Sequence, residues 1–330
     1  MSQNRLNLKN ESPIIPGNLL SNNKSLRRRF FHILNSISSG LSLTPSPRYS
    51  ALNHLRSRSI GIMLPNLNNT FYTEVLRGIE SITIKAGFSL FVCPAYKAHE
   101  REARLLDDLL ERKTGGLIVF STPIFKTTEL RKILTSLHVL SIQSDIKGTD
   151  NISVTDKQGM FEAANHLLKL GHKRIAYMSY DNNITALNNR LDGFKAALRE
   201  HNVSFDETLV FKEHVTSSGY STAKAMLSSK TAPTAIQCVN DHLAMGVYMA
   251  ASDVGLTIPR DVSVSGFDNT MMSRLMIPNL TTVAQPAQEM GETAAQVIIK
   301  RIIGDDRTEP RSIVLPTTHI IRDSTAIACK

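Results

Sequence analysis

The sequence predicts an α/β protein with two doubly wound lobes, preceded by a short and mostly helical N-terminal segment. Three observations lead to this prediction. From residue 60 onward, short apolar runs alternate with amphipathic stretches, as expected for parallel strands joined by helices. The alternation occurs in two series, with no Gly/Ser-rich linker between them. The chain has 330 residues, of which 42% are hydrophobic, and is therefore long enough to bury two sizeable cores.

The first series extends from residue 60 to about residue 155. Residues 60–64 form an apolar run that predicts a buried strand, and apolar side chains at helical spacing predict a helix over 71–82. Gly87 is a typical helix-ending residue. The further predicted elements are a strand at 90–93, a helix near 98–112, a strand at 117–120, a helix near 126–136 and a strand at 139–142.

The second series begins near residue 156. Its predicted elements are helices at about 158–170, 188–201, 242–255 and 286–303 and strands at 174–178, 234–239 and 262–265. The two lobes are expected to be of similar size. Where two such lobes meet, the carboxyl ends of their strands face a shared cleft, so we expect a ligand site there.

Positive charge is concentrated in the first sixth of the chain. Residues 1–59 contain nine Lys and Arg residues and one acid, Glu11, which gives this segment a net charge of +8. The remaining residues contain 29 bases and 28 acids and carry a net charge of +1. This asymmetry indicates a basic segment that meets a polyanion and a neutral body with a different role.

Several classes of protein are disfavoured by composition. No apolar run approaches the roughly 20 residues of a membrane helix, and Pro13 and Pro16 interrupt the short apolar stretches that a secretory signal would need. The three cysteines, Cys93, Cys238 and Cys329, lack the paired spacing of a disulfide framework or a zinc site. We therefore expect a cytoplasmic protein without a metal or another cofactor.

Five sequence blocks resemble, in order and spacing, the effector-binding domain of LacI/GalR-family transcription regulators. They are Ile60-Gly-Ile-Met-Leu-Pro-Asn-Leu-Asn-Asn-Thr-Phe-Tyr-Thr-Glu-Val-Leu-Arg-Gly-Ile-Glu80, Leu170-Gly-His-Lys-Arg-Ile-Ala176 with Asn189-Arg-Leu-Asp-Gly-Phe194, Ala235-Ile-Gln-Cys-Val-Asn-Asp241, Val262-Ser-Val-Ser-Gly-Phe-Asp268 and Leu280-Thr-Thr-Val-Ala-Gln-Pro286. The match covers about 270 residues without large gaps. The resemblance implies two periplasmic-binding-protein-like lobes of type I behind a short DNA-binding head.

The resemblance also implies an effector site between the lobes. Its residues, carried over by position, are Phe71 or Tyr72 as a stacking ring and Asp156, Arg190, Asn240, Asp268 and Gln285 as polar contacts. Carboxylate and amide oxygens accept hydrogen bonds from hydroxyls, and a guanidinium can bind two oxygens at once. We therefore expect a small sugar or sugar acid as the effector. Gluconate is the example we expect, because the stretch from Phe71 to Ser81 looks most like gluconate-type regulators of the family.

These residues also have purely structural interpretations. Arg190 can pair with a neighbouring acid, and Asn240 or Asp241 can cap the helix that follows them. Asp268 can be a turn residue, and one of the two aromatic rings is expected to belong to the core. His172 is expected to be structural.

The resemblance divides the chain into a degenerate helix-turn-helix-like head at 1–44, a hinge segment at 45–59 and an effector-binding and dimerisation domain at 60–330. In that domain the N-terminal lobe takes up about 60–155 and 287–314, and the C-terminal lobe about 156–285 and 315–330. A gapless alignment backward from Ile60 puts Pro45 on the hinge proline and Leu52 on the leucine that wedges into the minor groove. The residues expected to contact DNA are Arg27, Arg28, Arg29, Arg48, Leu52 and Arg56.

The head departs from the family at the recognition helix. Residues 12–18, Ser-Pro-Ile-Ile-Pro-Gly-Asn, place prolines where this helix should enter the major groove. Apolar residues at helical spacing still predict one amphipathic helix at about 25–39. Two interpretations remain open: a diverged DNA-binding module that relies on phosphate contacts, or a damaged or wrongly framed segment that preserves only the length.

Together these observations predict an effector-responsive transcription regulator that acts as a repressor and binds double-stranded operator DNA as a homodimer. The alternative is a cytoplasmic sugar-binding sensor that has lost specific DNA binding through a defective head. An enzyme is disfavoured, because the sequence has no Gly-x-Gly-x-x-Gly, Walker or Gly-x-Ser-x-Gly motif.

Overall fold

The computed structural model describes residues 57–96, 99–120, 133–134, 136–181, 184–214 and 217–328. All residues expected to contact DNA lie outside the described residues, and so do the helix expected at 25–39 and most of the helix expected near 126–136.

A six-stranded parallel sheet and its covering helices form one lobe, which we call the N-lobe. The strands, numbered in chain order, are β1 (Ser57–Leu64), β2 (Ser89–Pro94), β3 (Thr114–Phe120), β4 (His138–Ile142), β5 (Asp150–Val154) and β11 (Ser312–Leu315), arranged in the order β11-β5-β4-β3-β1-β2. Helices α1 (Thr70–Thr83) and α8 (Ala287–Ile303) cover one face, and α2 (His99–Glu111) covers the other. Because both faces are covered, every residue of β3 is buried.

A four-stranded parallel sheet forms the second lobe, the C-lobe. Its strands are β6 (Ile175–Tyr180), β7 (Val210–Glu213), β8 (Ala235–Cys238) and β9 (Ser263–Ser265), in the order β7-β6-β8-β9. The helices of this lobe are α3 (Asp156–Lys169), α4 (Thr185–Glu200), α5 (Tyr220–Leu227), α6 (Asp241–Asp253) and the short α7 (Met271–Leu275). A core separate from that of the N-lobe lies between this sheet and its helices.

Within the described residues the chain passes between the lobes three times, and the three crossovers pack against one another. Two of them pair as a short antiparallel ribbon of β10 (Thr282–Ala284) and β12 (Thr318–Ile320). The first crossover joins this ribbon through Thr155, whose Oγ1 accepts a hydrogen bond from the backbone N–H of Thr317 at 2.9 Å. The lobes are therefore connected through one compact hinge region.

The predicted α/β class with two doubly wound lobes is confirmed, while the helical N-terminal segment lies outside the described residues. Most predicted elements of the lobes lie within a few residues of observed ones. The lobes differ more than expected, with six parallel strands against four. Seven observed elements were not predicted from the sequence: the strands β5, β7, β10, β11 and β12 and the helices α5 and α7. Strand β11 ends at Leu315, one residue beyond the limit of 314 expected for the N-terminal lobe.

Candidate ligand-binding site

A cleft lies between the lobes at the carboxyl ends of their parallel strands. It encloses about 740 Å³, part of which is open to solvent. Six of the seven expected effector residues line it: Phe71, Tyr72, Arg190, Asn240, Asp268 and Gln285. The structure thus brings together side chains that are spread over more than 200 positions of the sequence.

The seventh expected residue, Asp156, does not line this cleft. It is the first residue of α3, is 2% exposed and lies behind Arg190, with its Oδ1 2.7 Å from the Nε of Arg190. Burial raises the pKa of Asp156, against the opposing effect of the Arg190 charge. Asp156 was expected as a polar contact of the effector, but its carboxylate is bound by Arg190.

Arg190, on α4, is a buried cation held by several groups at once. Besides its bond to Asp156, its Nη1 donates to the backbone carbonyl of Val239 at 2.8 Å and lies 3.7 Å from Oδ1 of Asp268. The guanidinium also lies 3.7 Å above the ring of Phe267. Arg190 thus pairs with acids, as its structural interpretation expects, and it also lines the cleft.

Asp268 occupies the loop after β9 with an unusual backbone, at φ 114°. Its backbone N–H donates to the carbonyl of Val283 at 2.8 Å, which ties this loop to β10. Its carboxylate accepts from Gln285 Nε2 at 2.6 Å and from Asn69 Nδ2 at 3.3 Å. Burial raises the pKa of Asp268 to about 6, although Arg190 and the two amide donors lower it.

Two glutamine side chains extend this network along the cleft wall. Gln143 Nε2 donates to Gln285 Oε1 at 2.6 Å, while Gln285 Nε2 donates to Asp268. An ionised carboxylate can only accept, so Asp268 fixes the orientation of the Gln285 amide and, through it, that of Gln143. The carbonyl oxygen of Gln143 is left buried, without a hydrogen-bond partner among the described residues. Gln143 thus keeps an acceptor that no described residue uses.

Two asparagines on the wall are also helix N-caps. Asn240 Oδ1 accepts from the backbone N–H of Leu243 at 3.0 Å at the start of α6, and Asn69 Oδ1 accepts from Phe71 in the same way at the start of α1. The expected cap is thus Asn240 rather than Asp241. In both residues the capping oxygen is occupied, which fixes the direction of the side-chain amide.

Aromatic rings form the apolar part of the wall. Phe71 is 5% exposed and packs in the N-lobe core, as expected for one of the two candidate rings. Tyr72 packs edge-on against Phe120, with ring centres 5.3 Å apart. Tyr180 lies on the opposite lobe and donates its hydroxyl to Asn240 Oδ1 at 3.4 Å. Such rings suit the apolar faces of a sugar.

Several residues of the wall were missed by sequence reasoning. They include Asn66, Asn69, Phe120, Gln143, Tyr180 and His242. A positional signal was available for three of them: Phe120 and Tyr180 are the last residues of β3 and β6, and Gln143 follows β4 directly. Ligands of open parallel sheets bind at these strand ends.

His172 lies outside the cleft. The ring of His172 lies 2.9 Å from Thr234 Oγ1 and 3.0 Å from the carbonyl of Ala326, which matches its expected structural role. In the part of the chain that the structure describes, no cluster of three His, Cys, Asp or Glu side chains could hold a metal ion. No helix among the same residues is both long and apolar enough to cross a bilayer.

Two parallel-sheet lobes, three crossovers and a polar cleft between them define a periplasmic-binding-protein-like protein of type I. A family model described as a periplasmic binding protein-like domain matches residues 164–325. The HTH-type transcriptional regulator DegA of Bacillus subtilis (strain 168) is 31% identical over 306 residues, covering 91% of this chain and 89% of DegA. The HTH-type transcriptional repressor PurR of Vibrio atlanticus (strain LGP32) is 28% identical over 273 residues, 81% of each chain.

A solved structure gives the same result. A LacI family transcriptional regulator from Enterococcus faecium, crystallised with bound ribose, matches with a TM-score of 0.75 and 30% identity over 82% of this chain and 100% of that chain. The chain belongs to the LacI/GalR family of transcriptional regulators. The resemblance carried by the five sequence blocks is confirmed.

Proposed function

We propose that this protein is a transcriptional repressor whose affinity for operator DNA is controlled by a small hydroxyl-rich effector bound between the lobes. The observation that carries this proposal is the convergence of Arg190, Asn240, Asp268 and Gln285 with aromatic rings on one cleft. Such a wall offers carboxylate and amide groups to hydroxyls and apolar faces to a sugar ring. The expected effector contacts are these residues together with Tyr72 and Phe71.

The charges of the cleft favour a neutral sugar over a sugar acid. Arg190 is already opposed by Asp156 at 2.7 Å and by Asp268 at 3.7 Å, so its guanidinium is not a free site for an anion. An effector carboxylate would add a further negative charge to this buried group. The ribose bound by the Enterococcus faecium relative agrees with this preference. Gluconate is therefore the less supported effector.

We propose that the protein acts as a homodimer, because a two-fold operator presents two half-sites to a symmetric pair of heads. Large apolar side chains are exposed on α6, on α7 and in the segment after α7. They are Met249 on α6, Met271, Met272 and Leu275 on α7, and Ile277 after α7. The hydroxyl of Tyr248 donates to the carbonyl of Pro278 at 2.9 Å, which places α6 beside the segment after α7. A second copy would cover this surface.

Effector control requires the ligand to change the arrangement of the lobes. A ligand that contacts both walls of the cleft stabilises the closed arrangement in proportion to the contacts that only closure allows. Strand β1 begins at Ser57, within the expected hinge segment at 45–59, so a change in the N-lobe can reach the head through it. We propose that the protein does not turn over its effector, so NMR spectra of a sugar incubated with the protein should show no signals of a reaction product.

DNA binding is tested with the full chain and its own upstream promoter, with scrambled DNA of the same length as the control. A working repressor head should keep a preference for the promoter at about 0.15 M salt, where contacts to phosphates alone have weakened. Equal binding of both DNAs, lost in parallel as salt rises, would instead identify a sugar-binding sensor with a defective head. The prolines at 13 and 16 make this alternative worth the direct test.

Effector binding is tested separately by calorimetry on the full chain with D-ribose, D-glucose and D-gluconate. We expect a neutral sugar to bind and gluconate to bind more weakly. Adding the bound sugar to the promoter complex then shows whether it releases or strengthens DNA binding. Failure of every sugar to bind would remove the effector proposal without affecting the result for DNA.

A further inference from the structure

Asp241 is a buried carboxylate just behind the cleft. It is the first residue of α6, 1% exposed, and does not line the cleft. Its neighbour Asn240 does line the cleft and caps the helix, which leaves the carboxylate of Asp241 free to bind elsewhere. Its contacts reach two other segments that carry cleft residues.

The first of these segments is the loop that carries Asp268. The backbone N–H of Asp241 donates to the carbonyl of Phe267 at 2.8 Å. Its Oδ2 accepts from both the backbone N–H and the hydroxyl of Thr270, at 2.7 and 3.0 Å. Asp241 thus holds the loop on both sides of Asp268. Asp268 and Asn269 have φ values of 114° and 58°, a backbone conformation that needs such outside support.

The second segment is the crossover that carries Gln285. Oδ1 of Asp241 accepts from the hydroxyl of Thr282 at 2.6 Å, and Thr282 lies in β10, three residues before Gln285. The carboxylate also packs tightly against Gly266, where an added Cβ would collide with Oδ1. One carboxylate therefore fixes the spacing between the loop, the crossover and the start of α6.

We infer that Asp241 is a positioning residue, which holds Asp268 and Gln285 at the separation that lets them bind the effector together. This inference rests on the proposed function of the cleft. The side chain acts through the residues it holds, since the wall of the cleft lies between it and any ligand. Its contribution to binding is the order that it gives to the loop and the crossover before a ligand arrives.

The test uses matched substitutions of the partners of Asp241 in the full chain. Thr282→Val removes the hydroxyl that binds Oδ1 at nearly constant volume, and Thr282→Ser keeps it. With D-ribose as the calorimetric probe, we expect Thr282→Val to weaken binding at least about tenfold and Thr282→Ser to stay within about twofold of the wild type. Val247→Ala, a core substitution on the same helix, should reduce stability without changing the affinity for D-ribose.

A second readout needs no ligand. Hydrogen exchange of the amides at 266–270 should be faster in Thr282→Val than in both the wild type and Thr282→Ser, because the loop loses part of its anchor. Thr270→Val and Thr270→Ser repeat the comparison for Oδ2 of Asp241, which accepts from the Thr270 hydroxyl. They replace the two Thr282 variants if Thr282→Val does not fold.

The possible outcomes are distinct. A folded Thr282→Val protein with wild-type exchange and wild-type D-ribose binding would overturn the inference. If the wild type binds none of the sugars, the effector proposal fails, while the exchange comparison still decides whether Asp241 holds the loop.

Discussion

A direct hydrogen bond joins the two lobes across the cleft: Asn69 Nδ2 lies 3.3 Å from Asp268 Oδ2, although the residues are 199 positions apart. A second contact is close by, where Glu74 of α1 accepts from the backbone N–H of Met271 in the C-lobe. The carboxylate expected to bind the effector thus also helps to close the cleft. An effector that reaches Asp268 therefore acts on the same contact that holds the lobes together.

Removing the Asn69 amide should favour the open arrangement of the lobes. Asn69→Ser keeps an oxygen that can cap α1 but loses the donor to Asp268. A hydrogen bond to a charged group contributes about 1.5–3 kcal/mol, so the ligand-free population should shift toward open by at least about tenfold. Distances between spin labels at Glu80 and Asp192, one on each lobe, report this change.

The control is Asn68→Ser, an exposed change in the same loop, which should leave the distances as they are. Equal distances in the Asn69→Ser and Asn68→Ser proteins would contradict the prediction.

Asp268→Asn should abolish most effector binding while the fold survives. The substitution removes a charged acceptor and replaces one of its oxygens by a donor, which disturbs the orientation of the Gln285 amide as well. We expect the affinity for the bound sugar to fall at least about tenfold in calorimetry. Asp192→Asn, which changes an exposed carboxylate on α4, is the matched control. Wild-type affinity in Asp268→Asn would show that the cleft binds its ligand elsewhere.

Arg190→Met should be costly for stability, because it leaves Asp156 as a buried charge without its cation. Breaking such a pair by removing one partner costs about 3–5 kcal/mol. Chemical denaturation should show this loss for Arg190→Met and a smaller loss for the double variant Arg190→Met, Asp156→Leu, in which the buried Asp156 carboxylate is removed together with its cation. Additive losses in the double variant would mean that the two side chains do not act as a pair.

The sequence predicted those parts of the fold whose pattern is local. The apolar run of β1 and the helical spacing of α1 are visible in any window that contains them. Among the strands that were missed, β7 is largely half-buried. Strands β10 and β12 have three residues each, so their pairing depends on the crossovers rather than on their own composition.

The same division holds for the site. Arg190, Asn240 and Asp268 could be placed because they lie in blocks with a family pattern. Gln143 lies in none of these blocks, and Asn69 lies in the first of them but was not singled out, because its contact with Asp268 forms only when the lobes meet. The position of Asp156 behind Arg190 could not be predicted for the same reason. Which group binds the Arg190 cation is decided by the distances between their atoms, and the sequence does not contain these distances.

Close packing between α1 and α8 should make Gly78 intolerant of a side chain. An added Cβ at Gly78 would collide with the backbone carbonyl of Gln288, and one at Gly291 with that of Val75, so the helices touch backbone to backbone. We expect Gly78→Ala to lower the free energy of unfolding by about 1–3 kcal/mol, although alanine is the better helix former. Glu80→Ala, an exposed change on the same helix, should be nearly neutral. A stabilised Gly78→Ala protein in thermal denaturation would rule out this packing.

Stability and effector binding should depend on pH in opposite directions. Burial raises the pKa of Asp268 to about 6, and burial together with the charge of Asp268 raises the pKa of Asp241 to about 7. Both values lie above the usual aspartate pKa of about 3.9. Between about pH 4 and these values, the folded chain therefore binds more protons than the unfolded chain. The contribution of both groups to stability is thus fully present below about pH 4 and is lost as the pH rises through 6 to 7.

Effector binding should follow the opposite course, because only the ionised Asp268 accepts hydrogen bonds with both oxygens. We expect sugar affinity to rise between about pH 5 and pH 7.5, the range in which a group with a pKa near 6 ionises. Denaturation and calorimetry from pH 4 to 8, on the wild type and on Asp268→Asn, measure both trends. The difference in unfolding free energy between the two proteins should change with pH in the stated direction, and a difference that stays constant from pH 4 to 8 would show that Asp268 titrates normally.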